Sequence, residues 1–329
     1  MMKMMLSSLS RKEQAHVTRL TRHLTAYMLE HYRHQPEFDP SRFPSIALCC
    51  AVENPELPLS MLEDFVKIGV WIFDFDSALD QRRFSKSELA KRLKQFEQIV
   101  RGNPSAGIPA DPYGRALADL TLNLRNKPLF TSLEYIWQHT YLRMIDAMLF
   151  EIAEDGKPLT LETYLDRSTF SIGLPFYVIS TWILRDDATA LLCQSDLLEM
   201  LTAASTCIRL ANDLQSADRE RLEGKMNSLF IEESKMLAAG LDPDSAREQS
   251  RLKIQTLLDQ HMVNFQQFCD DRIPHKKSLR RLTQFVVGFY RHYDFHSAPA
   301  IHEQKQDGNS EQEPEPRRNH KDHCIAPIP

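Results

Sequence analysis

The sequence is poor in glycine, has no long hydrophobic run and carries no excess of positive charge. Glycine supplies 10 of the 329 residues, less than half of its usual share of about 7%. Because doubly wound α/β folds and all-β folds use many glycines in their turns, this scarcity favours helices. The net charge of −5 provides no basic field for nucleic acid. We therefore expect an all-α protein that does not bind nucleic acid.

Cysteine and apolar segments are limited as well. The six cysteines lack the paired spacing of zinc sites, and we expect no disulfide framework in a chain of this length. The first residues lack the apolar core of a signal peptide, and no apolar run approaches the roughly 18 residues of a membrane span. These features predict a reducing, cytoplasmic location without stable membrane insertion.

Helix signals occur along most of the chain. Patterns of the form S/T-x-x-E begin at Ser60, Ser85 and Thr131, and each predicts a helix start with a capping box. Helical periodicity then covers 159–184, 190–222, 226–238, 243–270 and 276–295. Strand-like alternation is hard to find, which again favours an all-α fold.

These patterns predict a single helical domain. It should cover residues 10–297, after a short flexible N-terminus at 1–9. From about residue 298 the composition changes and few large apolar side chains remain. Because such a segment cannot bury enough apolar surface to fold, we expect a disordered tail at 298–329.

The most informative segment reads NDLQSADRE and begins at Asn212. Asn212, Ser216 and Glu220 are spaced i, i+4, i+8, so their side chains share one helix face. An amide oxygen, a hydroxyl and a carboxylate on one face form half of an oxygen cage that suits Mg²⁺. The ordinary alternative is a solvated polar face. However, the apolar residues just before Asn212 indicate a buried helix, whose polar face requires an explanation.

A second acidic segment, VWIFDFDSALD, occupies residues 70–80. Asp76 and Asp80 are spaced i, i+4 and share a helix face, whereas Asp74 lies about 200° around the helix from Asp76. Two carboxylates on one face repel each other, and this is tolerated where a cation lies between them. The alternative is a pair of exposed aspartates that follow an apolar run.

These two segments resemble the metal motifs of the class I terpene synthases. The segment at Asn212 matches the family motif N-D-x-x-S-x-x-x-E at every fixed position, and Arg219 is the basic residue that usually precedes the glutamate. The resemblance implies that Asn212, Ser216 and Glu220 hold one Mg²⁺ and that Arg219 contacts diphosphate.

The acidic segment resembles the first metal motif of the family, D-D-x-x-D. Aligning Trp71 and Phe73 with its apolar lead makes Asp76 the first metal-binding aspartate and Asp80 the last. Ser77 then replaces the middle aspartate, which is a departure from the family pattern.

Other positions acquire roles through the same resemblance. Arg167 lies about 45 residues before Asn212, where the family places a diphosphate-sensing arginine. A helix break at Gly173 implies a backbone carbonyl that points at the substrate cation. The usual C-terminal Arg-Tyr pair is missing, and Arg291 or His296 would replace it. The aromatic side chains expected to line the pocket, each of which could instead belong to the core, are Phe73, Trp137, Phe176, Tyr177, Phe289 and Tyr293.

The resemblance implies the class I terpenoid synthase fold and a Mg²⁺-dependent terpene cyclase. Such an enzyme ionises a prenyl diphosphate, cyclises the carbocation and releases diphosphate, using three Mg²⁺ ions, for which Mn²⁺ can substitute. C20 geranylgeranyl diphosphate is slightly favoured over C15 farnesyl diphosphate, because the N-terminal signature of bacterial sesquiterpene synthases is not apparent. A homodimer is compatible with this reading.

Two alternatives remain open from the sequence. The apolar run followed by D-x-D-S-x-L resembles haloacid-dehalogenase-type phosphatases, in which Asp74 would be the nucleophile and Asp76 the acid/base. That fold requires a β-strand ending at Asp74. The chain could also be a non-catalytic isoprenoid-binding protein, since one motif aspartate and the Arg-Tyr pair are missing.

Overall fold

The computed structural model describes residues 6, 9–103, 109–153 and 159–295. Within these residues the chain forms twelve α-helices, two short 3-10 helices and no β-strand, which confirms the predicted all-α fold. The α-helices are α1 (Arg11–His31), α2 (Phe43–Glu53), α3 (Leu59–Asp80), α4 (Lys86–Val100), α5 (Pro112–Arg125), α6 (Phe130–Glu151), α7 (Leu161–Ser168), α8 (Leu174–Arg185), α9 (Leu197–Glu223), α10 (Ser228–Ala238), α11 (Pro243–Gln266) and α12 (Pro274–Tyr290). The 3-10 helices are Pro40–Arg42 and Ala188–Cys193. The predicted tail, 298–329, lies outside the described residues, as does most of the predicted flexible N-terminus.

One of the three predicted capping boxes is present. The backbone N–H of Ser85 donates to the Glu88 carboxylate at 2.9 Å, and the N–H of Glu88 donates back to the Ser85 hydroxyl at 3.3 Å. The boxes predicted at Ser60 and Thr131 are wrong, because α3 and α6 each begin one residue earlier. Both residues therefore lie inside the helix and cannot adopt the extended geometry of an N-cap. Ser10 forms a further capping box, which was not predicted, at the start of α1.

Buried aromatic side chains fill the centre of the bundle. The ring of Trp71 on α3 lies 5.2 Å from Phe75 and 6.1 Å from Phe176, and Trp137 lies 5.8 Å from Phe176. The indole N–H of Trp71 donates to the carbonyl of Tyr113 at 2.8 Å, so its polar edge is satisfied. These contacts fix α3 against α6 and α8, the helices that surround the site described below.

The predicted helix break at Gly173 is confirmed. Helix α7 ends at Ser168 and α8 begins at Leu174. Gly173 has φ of 69°, and a Cβ built on it would lie 2.5 Å from Cγ2 of Ile72 on α3. Glycine therefore permits both the left-handed turn and the close approach of the break to α3. None of the described helices is long and apolar enough to cross a membrane.

Candidate active site

A cavity lies between α2, α3, α8, α9 and α12, and one part of its wall is strongly polar. The charged and amide side chains that line it are Asp76, Asp80, Glu151, Arg209, Asn212, Arg219, Glu220 and Lys225. The rest of the wall is mostly apolar and includes Ile46, Ile72, Leu174, Ile208, Leu282 and Val286. The two acidic segments that the sequence singled out therefore meet at one cavity.

Asp76 and Asp80 contribute one side of this polar wall. Burial, followed by the charges of Asp80 and Glu151, raises the pKa of Asp76 well above its ordinary range. The ammonium of Lys225 lies 2.6 Å from Asp80 Oδ2 and 3.0 Å from Glu223 Oε2. The crowded carboxylates thus create a negative potential that attracts a cation, and Lys225 supplies one.

Asp74 lies on the opposite face of α3, as the helix geometry predicts. Its Oδ1 accepts hydrogen bonds from Arg42 Nη1 at 3.0 Å and from the backbone N–H of Asp39 at 3.1 Å. Burial raises the pKa of Asp74 to about 7, although Arg42 lowers it in part. The phosphatase alternative is wrong, because Asp74 lies within a helix instead of at the end of a strand.

The Asn212 segment supplies the facing side of the polar wall from α9. The hydroxyl of Ser216 donates to the backbone carbonyl of Asn212 at 2.8 Å, one turn back along the helix. The side chain of Asn227 donates to Glu220 Oε2 at 2.8 Å and so fixes the orientation of the carboxylate. Burial raises the pKa of Glu220, while Arg209 opposes this shift. Asn212 and Glu220 line the cavity directly.

A buried arginine that was not predicted from the sequence lies between these two sides. Arg209 lies 2.6 Å from Glu151 and 2.8 Å from Asp213, and its side chain is only 5% exposed. Tyr164 also donates to Asp213, at 3.1 Å. The available signal was a charged residue inside the apolar run CIRLA, one turn before Asn212. Arg209 lines the cavity and is a fixed cation in its wall.

Arg219 connects the Asn212 segment to the chain that follows α12. Its guanidinium lies 3.1 Å from Asp294 and 3.1 Å from Glu223. The hydroxyl of Tyr290 lies near the side chain of Asn212. Arg219 and Tyr290 both line the cavity, so the end of α12 closes against the polar wall.

The structure separates Arg167 and Arg291 from this cavity. Arg167 is exposed, and its guanidinium lies 3.8 Å from the centre of the Phe150 ring. Arg291 is also exposed and lines a different surface depression, beside Leu6. His296 lies outside the described residues. Neither arginine is therefore brought to the polar wall in this structure.

The six aromatic residues expected in the pocket occupy different environments. Phe73 and Tyr177 line the cavity. In contrast, Trp137, Phe176 and Phe289 have no exposed surface and belong to the packed core. Tyr293 is half-buried against Phe289, with ring centres 5.7 Å apart. Two aromatic residues that were not predicted, Tyr290 and Phe295, line the cavity instead, and Phe295 stacks on Phe73 at 4.7 Å.

Comparison with known families identifies the chain. Residues 67–260 match the family model described as terpene synthase family 2, C-terminal metal binding, which is more than half of the chain. The chain belongs to the terpene synthase family. The match contains both segments of the polar wall and confirms the resemblance to class I terpene synthases and the assignment as a lyase. No curated protein matches the sequence.

Solved structures share the fold at low sequence identity. The 2-methylisoborneol synthase of Streptomyces coelicolor A3(2), in complex with Mg²⁺ and geranyl-S-thiolodiphosphate, is 16% identical, with a TM-score of 0.64 over 87% of this chain and 94% of that one. The linalool/nerolidol synthase of Streptomyces clavuligerus, in complex with 2-fluorogeranyl diphosphate, is 14% identical, with a TM-score of 0.60 over 84% and 94%. A cucumene synthase variant is 18% identical, with a TM-score of 0.60 over 84% and 95%. The fold is therefore that of class I terpene synthases.

The polar wall fits a divalent metal ion in its donor chemistry. Asp76 and Asp80 on α3 and Asn212 and Glu220 on α9 line the cavity, and Ser216 lies between the last two along the same helix. Their carboxylate, amide and hydroxyl oxygens are the donors that Mg²⁺ prefers. Among the described residues, no three His, Cys, Asp or Glu side chains converge as a complete metal site. An ion here would complete its shell with amide, hydroxyl, water or substrate oxygens, as Mg²⁺ commonly does.

Proposed function

We propose that the protein ionises a prenyl diphosphate and cyclises the resulting carbocation. The observation that carries this proposal is the division of one cavity into an oxygen-rich wall, formed by α3 and α9, and an apolar remainder. A diphosphate bound through Mg²⁺ requires the first kind of surface, and a hydrocarbon chain requires the second. A non-catalytic binder would have no need for crowded carboxylates whose charged forms are costly to bury.

The diphosphate end would use both helices. Asp76, Asp80, Asn212, Ser216 and Glu220 would hold Mg²⁺, three ions in the family pattern. Bound Mg²⁺, or Mn²⁺ in its place, supplies neutralisation of the charge on the leaving diphosphate.

Three cations that line the cavity are proposed to donate hydrogen bonds to the diphosphate. They are Arg209, Arg219 and Lys225. Arg209 is held by buried acidic partners, so it can donate without a large rearrangement. Arg167 and Arg291 stay proposed contacts, but each side chain would have to move from the surface. The geometry therefore favours the three lining cations.

The apolar end would shelter the cation from water. The rings of Phe73 and Phe295 line the cavity, and an aromatic face stabilises a cation by roughly 0.5–2 kcal/mol. The break before α8 also borders the cavity. The carbonyl of Gly173 already accepts the N–H of Tyr177 at 2.9 Å. The carbonyls of Ser171 and Ile172 are therefore the better candidates for the carbonyl proposed to face the cation.

The test is incubation of the purified protein with Mg²⁺ and C10, C15 or C20 prenyl diphosphate, followed by gas chromatography of a hexane extract and measurement of released diphosphate. We expect volatile cyclic products with at least one substrate, and none after chelation of the metal. The slight preference for C20 stays a prediction, which this series of substrates checks. The cytoplasmic location and the homodimer also stay predictions, and they require other measurements.

The matched variants for this test are Asn212→Ala and Glu220→Ala. Each removes one oxygen ligand, and we expect turnover to fall by at least about 10², the scale of losing charge stabilisation at a leaving group. Near-normal product formation by either variant would contradict the proposed metal site. Binding of prenyl diphosphate without any product would support the binder.

A further inference from the structure

A second polar cluster lies at the other end of the cavity from the metal-binding segments. On α12, Arg281 approaches Glu53, with Nη1 3.5 Å from its carbonyl oxygen. Farther along the same helix, the side chain of Tyr290 lies near that of Asn212. More than two turns of α-helix separate Arg281 from Tyr290, which is a rise of about 13 Å. Glu53 and Asn212 therefore contact α12 from positions toward its opposite ends.

Tyr177 is the residue that presents this cluster to the cavity. It lines the cavity from α8, and its hydroxyl donates to Glu53 Oε2 at 2.8 Å. The thiol of Cys50 lies 3.2 Å from the same hydroxyl. Glu53, at the end of α2, is 1% exposed. The carboxyl group of Glu53 is thus buried directly behind the phenol of Tyr177 in the apolar part of the cavity. Because burial of an ionisable group costs folding free energy, its presence here requires an explanation.

We propose that Tyr177 and Glu53 form a proton relay that ends the cyclisation. This proposal rests on the proposed terpene synthase function. A C–H bond next to the cationic carbon breaks, and its electron pair forms the C=C bond of the product, which removes the positive charge. The proton passes to Tyr177 Oη while the phenol proton passes to Glu53 Oε2. The carboxylate becomes a neutral acid, and water takes up this proton after the product leaves.

The position and basicity of the pair support this assignment. For a cationic carbon beside Tyr177, the Tyr177–Glu53 pair would be a nearer proton acceptor than a diphosphate held at Asn212 on the metal-binding wall. Burial raises the pKa of Glu53 to about 7, while the hydrogen bond from Tyr177 and the nearby side chain of Asn54 lower it in part. A carboxylate with this pKa is a stronger base than an ordinary glutamate and keeps a substantial charged fraction near neutral pH.

The experiment compares Tyr177→Phe and Glu53→Gln with the wild-type protein, using Mg²⁺ and the prenyl diphosphate that the wild type accepts. Products are identified by gas chromatography with mass spectrometry and expressed per diphosphate released, so that a change in overall rate does not affect the result. We expect the main wild-type hydrocarbon to fall at least about tenfold per diphosphate in both variants. The same alternative alkenes or alcohols should replace it in each, and Glu53→Asp should restore part of the original pattern.

The matched control is Tyr141→Phe, which removes a phenol hydroxyl from the packed core, away from the cavity lining. Its product pattern should equal that of the wild type. An unchanged pattern in Tyr177→Phe and Glu53→Gln would overturn the relay and leave the pair as a packing contact. A change in Tyr177→Phe alone would also overturn it, because the carboxylate would then have no part. Absence of diphosphate release by the wild type would instead refute the proposed function itself.

Discussion

The two faces of α3 use aspartate in opposite ways. Asp74 is 2% exposed and is held by Arg42, in a contact that fixes α3 against the segment before α2. Asp76, two residues later, lines the cavity beside Asp80. Burial and the negative charge of Asp80 both raise the pKa of Asp76. Asp74 thus has a buried arginine as its partner, whereas the proposed partner of Asp76 is a metal ion.

If Asp76 has its proposed role, a short motif contains both a structural and a functional residue. The pattern D-F-D gives its two aspartates the same chemistry and nearly opposite directions. The two aspartates differ in their neighbours. The buried guanidinium of Arg42 compensates the charge of Asp74, whereas Asp76 lies beside a second carboxylate, that of Asp80. The following predictions test this division, beginning with the largest expected effect.

Replacing Asp74 should damage the fold more than the chemistry. Asp74→Ala leaves the buried guanidinium of Arg42 without its carboxylate, which costs about 3–5 kcal/mol for a buried pair. Denaturant unfolding should show this loss, and Asp74→Asn, which keeps a hydrogen-bond acceptor, should lose less. The activity of the Asp74→Asn molecules that remain folded should be a substantial fraction of normal. Unchanged stability in Asp74→Ala would contradict the structural role.

Replacing Asp76 should have the reverse effect. Asp76→Asn should lower diphosphate release by at least about 10², because it removes a charged ligand at the leaving group. Asp80→Asn should be milder, since Lys225 already neutralises that carboxylate in part. The melting temperature of Asp76→Asn should not fall, because the substitution removes a buried charge next to a like charge. Full activity in Asp76→Asn beside an inactive Asp74→Asn would reverse the assignment of the two faces.

Gly173 tests how closely the cavity face of α3 is packed. Gly173 and Gly224 have nearly equal φ values, 69° and 68°, but only a Cβ on Gly173 would meet a neighbour, Ile72. Both Gly→Ala variants bear the cost of a left-handed alanine, roughly 1–2 kcal/mol. Gly173→Ala should lose about 1–3 kcal/mol more through overpacking. Equal losses in thermal unfolding would show that the break does not depend on close contact with α3.

Local patterns predicted those features of the site that depend on helix geometry alone. With 3.6 residues per turn, side chains spaced i, i+4, i+8 from Asn212 share a helix face, and those of Asp74 and Asp76 point in nearly opposite directions. The structure confirms that both segments are helical. The Arg42–Asp74 contact joins residues far apart in the sequence, and no local pattern specifies it. Tertiary packing decides such pairs, and it also brings Arg209 to Glu151 from different helices.

Aromatic residues were harder to assign for a related reason. Trp137 lies in a more polar stretch of the sequence than Tyr177, yet Trp137 packs in the core and Tyr177 reaches the cavity. A core and an apolar pocket favour the same residue types, so composition cannot distinguish them. Only the crossing of the helices decides which rings face the cavity.

The smallest expected effect concerns Lys225, which supplies a positive charge to the cavity face of α3. In the metal-free protein its ammonium is the counterion of Asp80, and a divalent ion at Asp80 would compete with it. Lys225→Met should therefore lower the stability of the metal-free protein by about 1 kcal/mol or less, the scale of a partly exposed ion pair. Addition of Mg²⁺ should raise the melting temperature of this variant more than that of the wild type, because the ion no longer displaces an ammonium.

The matched control is Lys235→Met, which breaks a pair with Glu232 that does not line the cavity and should leave the response to Mg²⁺ unchanged. A smaller Mg²⁺ response in Lys225→Met than in the wild type would show that Lys225 assists the metal site instead of competing for it, and the contrast between a compensated and an uncompensated face of α3 would then need revision.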